Sequence, residues 1–318
     1  MVELGYAMSS EEHQPGDLVK HAKRAEEVGF TFSLISDHFH PWVDAQGHSP
    51  FVWSVIGGIS QATSSLRLGT GVTCPTIRIH PAIIAQAAAT SAAMMPGRFF
   101  LGVGTGEALN EHITGERWPS ADERRDMLEE AIDLMRTLWE GGFQSYKGLY
   151  YQVEDARLYT LPDEPIQVMV AASGSKAAEL AGRAGDGLVC TSPDADLVKT
   201  FEEAGGTGKP RYGQFTCCWA ATEQEATQTA LKIWPNGAIP GELGQELPLP
   251  RHFEQAAQLV DERAIAEAVV LGPNPQPYLD KIKEWTDSGV DHVYIHQVGP
   301  DQEGFFEFAE QHILPHFR

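Results

Sequence analysis

Two imidazoles, a carboxylate and an indole fall within the run Ser36-Asp37-His38-Phe39-His40-Pro41-Trp42. His38 is suited to acid–base work, because imidazole exchanges protons near neutral pH and a neighbouring carboxylate tunes it. A satisfied structural histidine is the other use of such a residue. A second polar run, Gly102-Val103-Gly104-Thr105-Gly106-Glu107-Ala108-Leu109-Asn110, sets a carboxylate beside closely spaced glycines. Glycines let a flat ring approach the backbone, and Glu107 beside it could act as acid or base. A tight turn with a solvated Glu107 fits the same residues, and the full GxGxxG signature is absent. Ser173-Gly174-Ser175-Lys176 offers backbone N–H groups, two hydroxyls and an ammonium to an anion. Plain helix capping by Ser173 or Ser175 fits equally. Asp37, His38, His40 and Glu107 are also metal-ligand types. Successive side chains leaving a strand point opposite ways, however, and no second His/Asp pair has ligand spacing. No metal is expected.

Elements that would position these runs alternate along the chain. Strands are predicted over 2–7, 32–36, 66–72, 98–103, 166–171, 187–191, 214–220 and 291–296. Helices are predicted over 18–28, 52–62, 81–93, 121–139, 176–184, 196–204 and 223–233, with two more after 250 and one at the C-terminal end. The first helix shows the basis: Leu18, Ala22, Ala25 and Val28 recur at helical spacing, and Gly29 stops it. Alternating Tyr146, Leu149/Tyr150 and Val153 predict a β-hairpin insertion at about 143–160. A Gly/Pro-rich stretch predicts a lid-like loop insertion at about 235–260. Eight β–α repeats imply a parallel sheet covered by helices, closed as one (β/α)8 TIM barrel over residues 1–318. An open, doubly wound sheet is the other arrangement. A barrel builds its site at the carboxyl ends of its strands, where all three polar runs fall.

Composition excludes whole classes. With 23 Lys+Arg against 44 Asp+Glu, the formal charge is −21. Nucleic acid and anionic membrane surfaces both require a basic face, so neither is an expected partner. The run 81–95 is broken by Gln86, Thr90 and Ser91, so no membrane span is expected. No secretory leader is visible at residues 1–10. Cys74, Cys190, Cys217 and Cys218 show neither CxxC nor zinc spacing. A reduced, cytoplasmic protein is the expectation.

Taken together, SDHFHPW (36–42), GTGVTCPTIRIHPAIIAQ (69–86), FLGVGTGEALNE (100–111) and AGRAGDGLVCTS (181–192) resemble the F420-dependent glucose-6-phosphate dehydrogenases of the luciferase-like (β/α)8 superfamily. The resemblance is dense over 1–192 and fainter over 210–318. It implies a 5-deazaflavin coenzyme, F420, in the barrel mouth, exchanging hydride with a sugar or alcohol carbon. By the same resemblance Asp37 would contact the deazaflavin. Gly71-Val72 would carry a non-prolyl cis peptide behind the ring, and Cys74 stands where the family often has Thr. Thr105, Gly106 and Asn110 would hold the cofactor, and Ser173, Gly174, Lys176 and Ala177 would surround its phosphate-bearing tail. His38, Glu107 and Trp42 would be catalytic. The imidazole and the carboxylic acid would serve the substrate hydroxyl and the reduced ring, with Trp42 walling the substrate side. Dimers are common among such barrels, which implies a homodimer here.

The substrate end departs from that pattern. Thr191 is retained, but the positions expected to hold two lysines and an arginine are Asp194, Gln255 and Lys281. A carboxylate in place of a cation repels a dianionic phosphate. A neutral sugar or another alcohol is therefore expected over glucose 6-phosphate. FMN in the same barrel, and a non-catalytic deazaflavin-binding protein, are the competing readings.

Overall fold

Residues 2–317 are described by a computed structural model. Its parallel strands form in apolar runs: β1 (Glu3–Met8), β2 (Phe32–Ile35), β3 (Arg67–Thr70) and β4 (Phe99–Val103). The hairpin β5 (Gln144–Lys147) and β6 (Gln152–Ala156) interrupts them, followed by β7 (Val168–Ala171), β8 (Gly187–Cys190), β9 (Arg211–Cys218), β10 (Val270–Leu271) and β11 (His292–Gln297). Pairing runs β9-β11-β1-β2-β3-β4-β7-β8 and returns to β9, so eight strands close a parallel barrel. The two-residue β10 adds to the end of β9 at Cys217 and Cys218. It is too short to leave a periodic signal in the sequence.

Helices clothe the barrel in the same order: α1 (Pro15–Val28), α2 (Val52–Ala62), α3 (Pro81–Met94), α4 (Ala108–Glu111), α5 (Ala121–Trp139), α6 (Ser175–Ala184), α7 (Ala195–Phe201) and α8 (Glu223–Ile233). In α1, Leu18, Ala22, Ala25 and Val28 are the buried face, and Gly29 ends it at φ 107°. Ser120 caps α5 by accepting from the Glu123 amide. The expected lid loop is partly helical, holding α9 (Leu243–Glu246) and α10 (Pro250–Ala257). Then come α11 (Glu262–Ala268), α12 (Pro275–Asp287) and α13 (Gln302–His312), so three helices rather than two lie between residue 250 and β11.

Several boundaries differ from those predicted. β9 starts at Arg211, three residues before the predicted 214, because Asp291 and Glu202 satisfy the Arg211 guanidinium at the strand's entrance. β3 stops at Thr70, before the predicted 72, and the Gly71–Val72 peptide that follows is cis. Inside the barrel, Phe32, Phe100 and Tyr212 fill one layer, Tyr212 stacking on Phe100 at 5.1 Å and meeting Phe32 edge-on at 5.3 Å. Gly69 makes room for that layer; a Cβ there would lie 2.1 Å from the Phe100 ring. These aromatics form a solid floor, so ligands can enter only from above.

Candidate active site

Above the floor opens a cavity of about 810 Å³ at the carboxyl ends of the strands. Ser36 and His38 reach it from the end of β2, Gly71 and Val72 from β3, and Gly104–Glu107 from β4. Ser173–Ala177 line it beyond β7, Thr191 beyond β8, Gln214 on β9 and His296 on β11. Trp42 and Trp234 form aromatic walls, and Gly241, Glu242, Gly244 and Gln245 close it from the lid. Of the residues singled out above, His38, Trp42, Gly71, Val72, Thr105, Gly106, Glu107, Ser173, Gly174, Lys176, Ala177 and Thr191 line this one cavity.

His38 is the electrostatic centre. Its Nδ1 lies 3.0 Å from Glu11 Oε1, off the line of a well-aligned hydrogen bond, and its Nε2 lies 4.0 Å from Glu107 Oε2. Burial pushes the imidazole pKa down, but the Glu11 carboxylate, with Glu107 beyond it, outweighs burial and holds it up at about 9. Burial would raise Glu11; instead His38, helped by the Ser36 hydroxyl, holds it at about 2. Glu11 also accepts from Ser9 at 2.9 Å and Ser36 at 2.7 Å. His38 is thus an imidazolium at neutral pH, with its second nitrogen on the Glu107 side.

Glycines shape the wall beside Glu107. A Cβ on Gly104 would come within 2.8 Å of Val72, and Gly106, at φ 75°, would meet Cys74 Sγ at 2.6 Å. At the tail end, Gly174 is the N-cap of α6 and no side chain caps the helix. Serine capping, the alternative use of this turn, is therefore not seen, and the first amides of α6 stay open beside the cavity. Lys176, Arg124 and Arg125 supply cations there. Arg124 is buried over the Trp118 ring and donates to Pro119 O and to Gln245 Oε1 of the lid. Flat, backbone-lined space beside Gly104 and Gly106, with an anion-favouring end at α6, is the donor set a planar, phosphate-bearing coenzyme requires.

Six expected contacts lie outside the lining. Asp37 is turned to Arg78 (Oδ1 at 3.1 Å) and accepts from Thr73 Oγ1 at 2.8 Å. Asn110 uses Oδ1 to accept from the Phe39 and His40 amides, so it latches the β2 loop to the β4 loop. Cys74 packs behind Gly106, its Sγ 3.0 Å from Thr76 Oγ1. Asp194 caps α7, accepting from the Asp196 and Leu197 amides. Gln255 is exposed on α10, two residues from Phe253, which points at Trp42; a two-residue step turns a helix by about 200°, to its opposite side. Lys281 pairs with Glu284 on the outer helix α12. Spacing along a sequence cannot say which side of an element faces in, and these positions turned away.

Conversely, Glu11, Gln46, Arg78, Glu111 and Gln214 are site or supporting residues that the sequence does not single out, while His296 stands at the end of the last strand with no role assigned to it. Glu11 follows a barrel strand, so reading the exit of β1 as closely as the others would raise it. Gln46 and Arg78 carry no such signal. Gln46 accepts from the Trp42 amide at 2.8 Å and donates to Ile233 O and Asn236 Oδ1, fixing Trp42 against the lid.

A closed barrel with acid–base groups and open helix amides at its carboxyl rim, under a lid, is the site of a (β/α)8 enzyme. The chain belongs to the luciferase-like monooxygenase family, which it matches over residues 2–292, and within it to the group holding the F420-dependent glucose-6-phosphate dehydrogenases. It is 38% identical to the F420-dependent glucose-6-phosphate dehydrogenase of Segniliparus rotundus, covering all of this chain and 98% of the relative. An F420-dependent secondary alcohol dehydrogenase, solved with an F420–acetone adduct, superposes with a TM-score of 0.92 at 30% identity over 100% of this chain and 99% of the other. The coenzyme F420-dependent tetrahydromethanopterin reductase of Methanopyrus kandleri shares the fold, with a TM-score of 0.80 at 23% identity, covering 100% and 99%.

Proposed function

We propose that this protein is an F420-dependent dehydrogenase acting on the CH–OH group of a neutral sugar or alcohol. F420, when bound, supplies a two-electron hydride acceptor and donor. Gly71, Val72, Gly104, Thr105 and Gly106 would flank its ring, and Ser173, Gly174, Lys176 and Ala177 its phosphate end. The Glu11–His38 pair carries the reading, because it fixes one exchangeable proton beside Glu107. His38 gives that proton to the substrate oxygen in reduction and takes it back in oxidation. Glu107, in its carboxylic-acid form, would give a proton to the reduced ring edge, and Trp42, packed on Phe253, would keep water from the substrate side.

The substrate's charge follows from where cations stand. Among the described residues, the Lys and Arg side chains that line the cavity come only from α5 and α6, while the Thr191–Gln214–His296 side has none. Asp194, though outside the lining, still acts on the wall: burial and then the Asp194 charge push the Cys190 thiol up to about 12. This supports a neutral substrate in place of glucose 6-phosphate. No helix among the described residues is long and apolar enough to cross a membrane, and four buried free cysteines support a reducing, cytoplasmic setting. A homodimer is part of the proposal, through the uncharged α2–α3 face.

The test is binding and turnover with purified protein. F420 binds in the micromolar range or tighter by fluorescence, and His38→Ala leaves that affinity within a few-fold while kcat falls roughly 10²–10⁴-fold. Tight FMN binding with no F420 binding overturns the proposal.

A further inference from the structure

Gln214 lines the cavity wall, and among the described residues its side-chain amide has no hydrogen-bond partner in the protein. Its direction is set by the strand. Tyr212, two residues earlier on β9, fills the barrel floor, so Gln214 points to the same interior one layer higher, beside Tyr294 of β11. The next groups on this wall are already engaged. His296 has Nε2 3.3 Å from Glu12 Oε2 and Nδ1 3.4 Å from Thr216 Oγ1, while Trp234 meets its ring edge-on at 4.4 Å. Thr191, on the neighbouring strand's exit, also has no side-chain partner in the protein and lines the same space.

An amide both donates and accepts, as a hydroxyl does. A phosphate would call for a cation, which this wall lacks, and the lid adds the Glu242 carboxylate to the same cavity. A simple secondary alcohol has one hydroxyl, spent at the reacting carbon, and would leave Gln214 unanswered. We propose that Gln214, with Thr191, forms a subsite for the non-reacting hydroxyls of a neutral polyhydroxylated substrate, with Trp42 and Trp234 covering its C–H faces. The subsite rests on the F420-dependent dehydrogenase reading given above and narrows its substrate to sugar-like compounds.

The experiment compares wild type with Gln214→Leu on glucose, mannose, sorbitol, glucose 6-phosphate and 2-propanol, alongside F420 affinity by fluorescence and sugar binding to the F420-loaded protein by calorimetry. The expected result is a 10–100-fold loss of kcat/KM on at least one neutral polyol, carried by KM and matched by weaker calorimetric binding. F420 affinity and 2-propanol turnover stay within about three-fold. Wild type uses glucose 6-phosphate no better than glucose. Equal losses on polyol and 2-propanol, no loss on any polyol, or F420-dependent turnover of 2-propanol alone each overturn the subsite. Failure of wild type to bind F420 overturns the dehydrogenase reading itself. Should Gln214→Leu not fold, Gln214→Asn is expected to show the same polyol-selective loss at smaller size, and an unselective loss counts against the subsite.

Discussion

His38 owes its charge to a neighbour that its place in the sequence does not reveal: Glu11, which follows β1 and is almost wholly buried. The pair makes a signed pH prediction. His38 is held at about 9, above its ordinary 6.5, so its contribution to stability is complete below 6.5 and is lost as pH rises through 9. Glu11 is held at about 2, below its ordinary 4.5, so its contribution is present above 4.5 and is lost as pH falls through 2. Glu11→Gln should therefore destabilise most between pH 4.5 and 6.5, by about 3 kcal/mol, with the gap from wild type closing above pH 9 in thermal melts. Catalysis gives the second reading of the pair. Oxidation needs neutral imidazole, so kcat/KM should climb as pH approaches 9, while reduction falls there. In Glu11→Gln, burial acts on His38 without its counter-charge, and both limbs should move to lower pH by roughly a unit or more. Unmoved limbs would remove His38 from the proton transfer.

Three loops converge on Arg78, which follows β3. Its guanidinium meets Asp37 of the β2 loop at 3.1 Å and Glu111 of α4 at 3.4 Å, and its amide donates to Glu111 at 2.8 Å. All three side chains are buried, so losing the cation strands two carboxyls. Asn110 adds the latch between the β2 and β4 loops, and Gln46 ties Trp42 to the lid. The chemistry of His38 and Glu107 thus depends on residues that never touch the cavity. Arg78→Met should cost about 3–5 kcal/mol of stability in denaturant unfolding. Arg78→Lys should keep much of the stability but lower kcat more than F420 affinity, because one ammonium cannot hold both loops in the same geometry. Equal kcat in Arg78→Lys and wild type would show that the loops position themselves.

The net charge of −21 is not spread evenly. Neither α2 nor α3 contains an Asp, Glu, Lys or Arg, and they pack side by side with Ile83 and Met94 exposed on α3 and Phe51 just before α2. Two acidic copies repel over most of their surface, so this neutral face is where they can meet at least electrostatic cost. Adding charge tests it: Ala87→Glu with Thr90→Glu should convert a dimer to a monomer in sedimentation experiments while leaving each barrel folded. A wild type that sediments as a monomer at micromolar concentration would remove the dimer from the proposal.

Hydrophobic period and turn residues are local properties, and they were enough to determine the eight-strand barrel, the hairpin and helices such as α2, α5 and α8. The strand-end rule then located His38, Trp42, Glu107 and the Ser173–Lys176 turn, because a barrel aims its strand ends at one mouth. Resemblance added the cis Gly71–Val72 peptide, which is present. What the sequence could not decide was direction and partnership. Asp37, Cys74 and Asn110 sit beside site residues but turn to Arg78, Gly106 and the β2 loop. Asp194, Gln255 and Lys281 are placed by helix ends and outer helix faces. Glu11 meets His38 across 27 positions of chain, and Gln214 faces the cavity only because the ring closes between β8 and β11. Proximity between distant residues is set by closure and packing, and only the tertiary structure contains it.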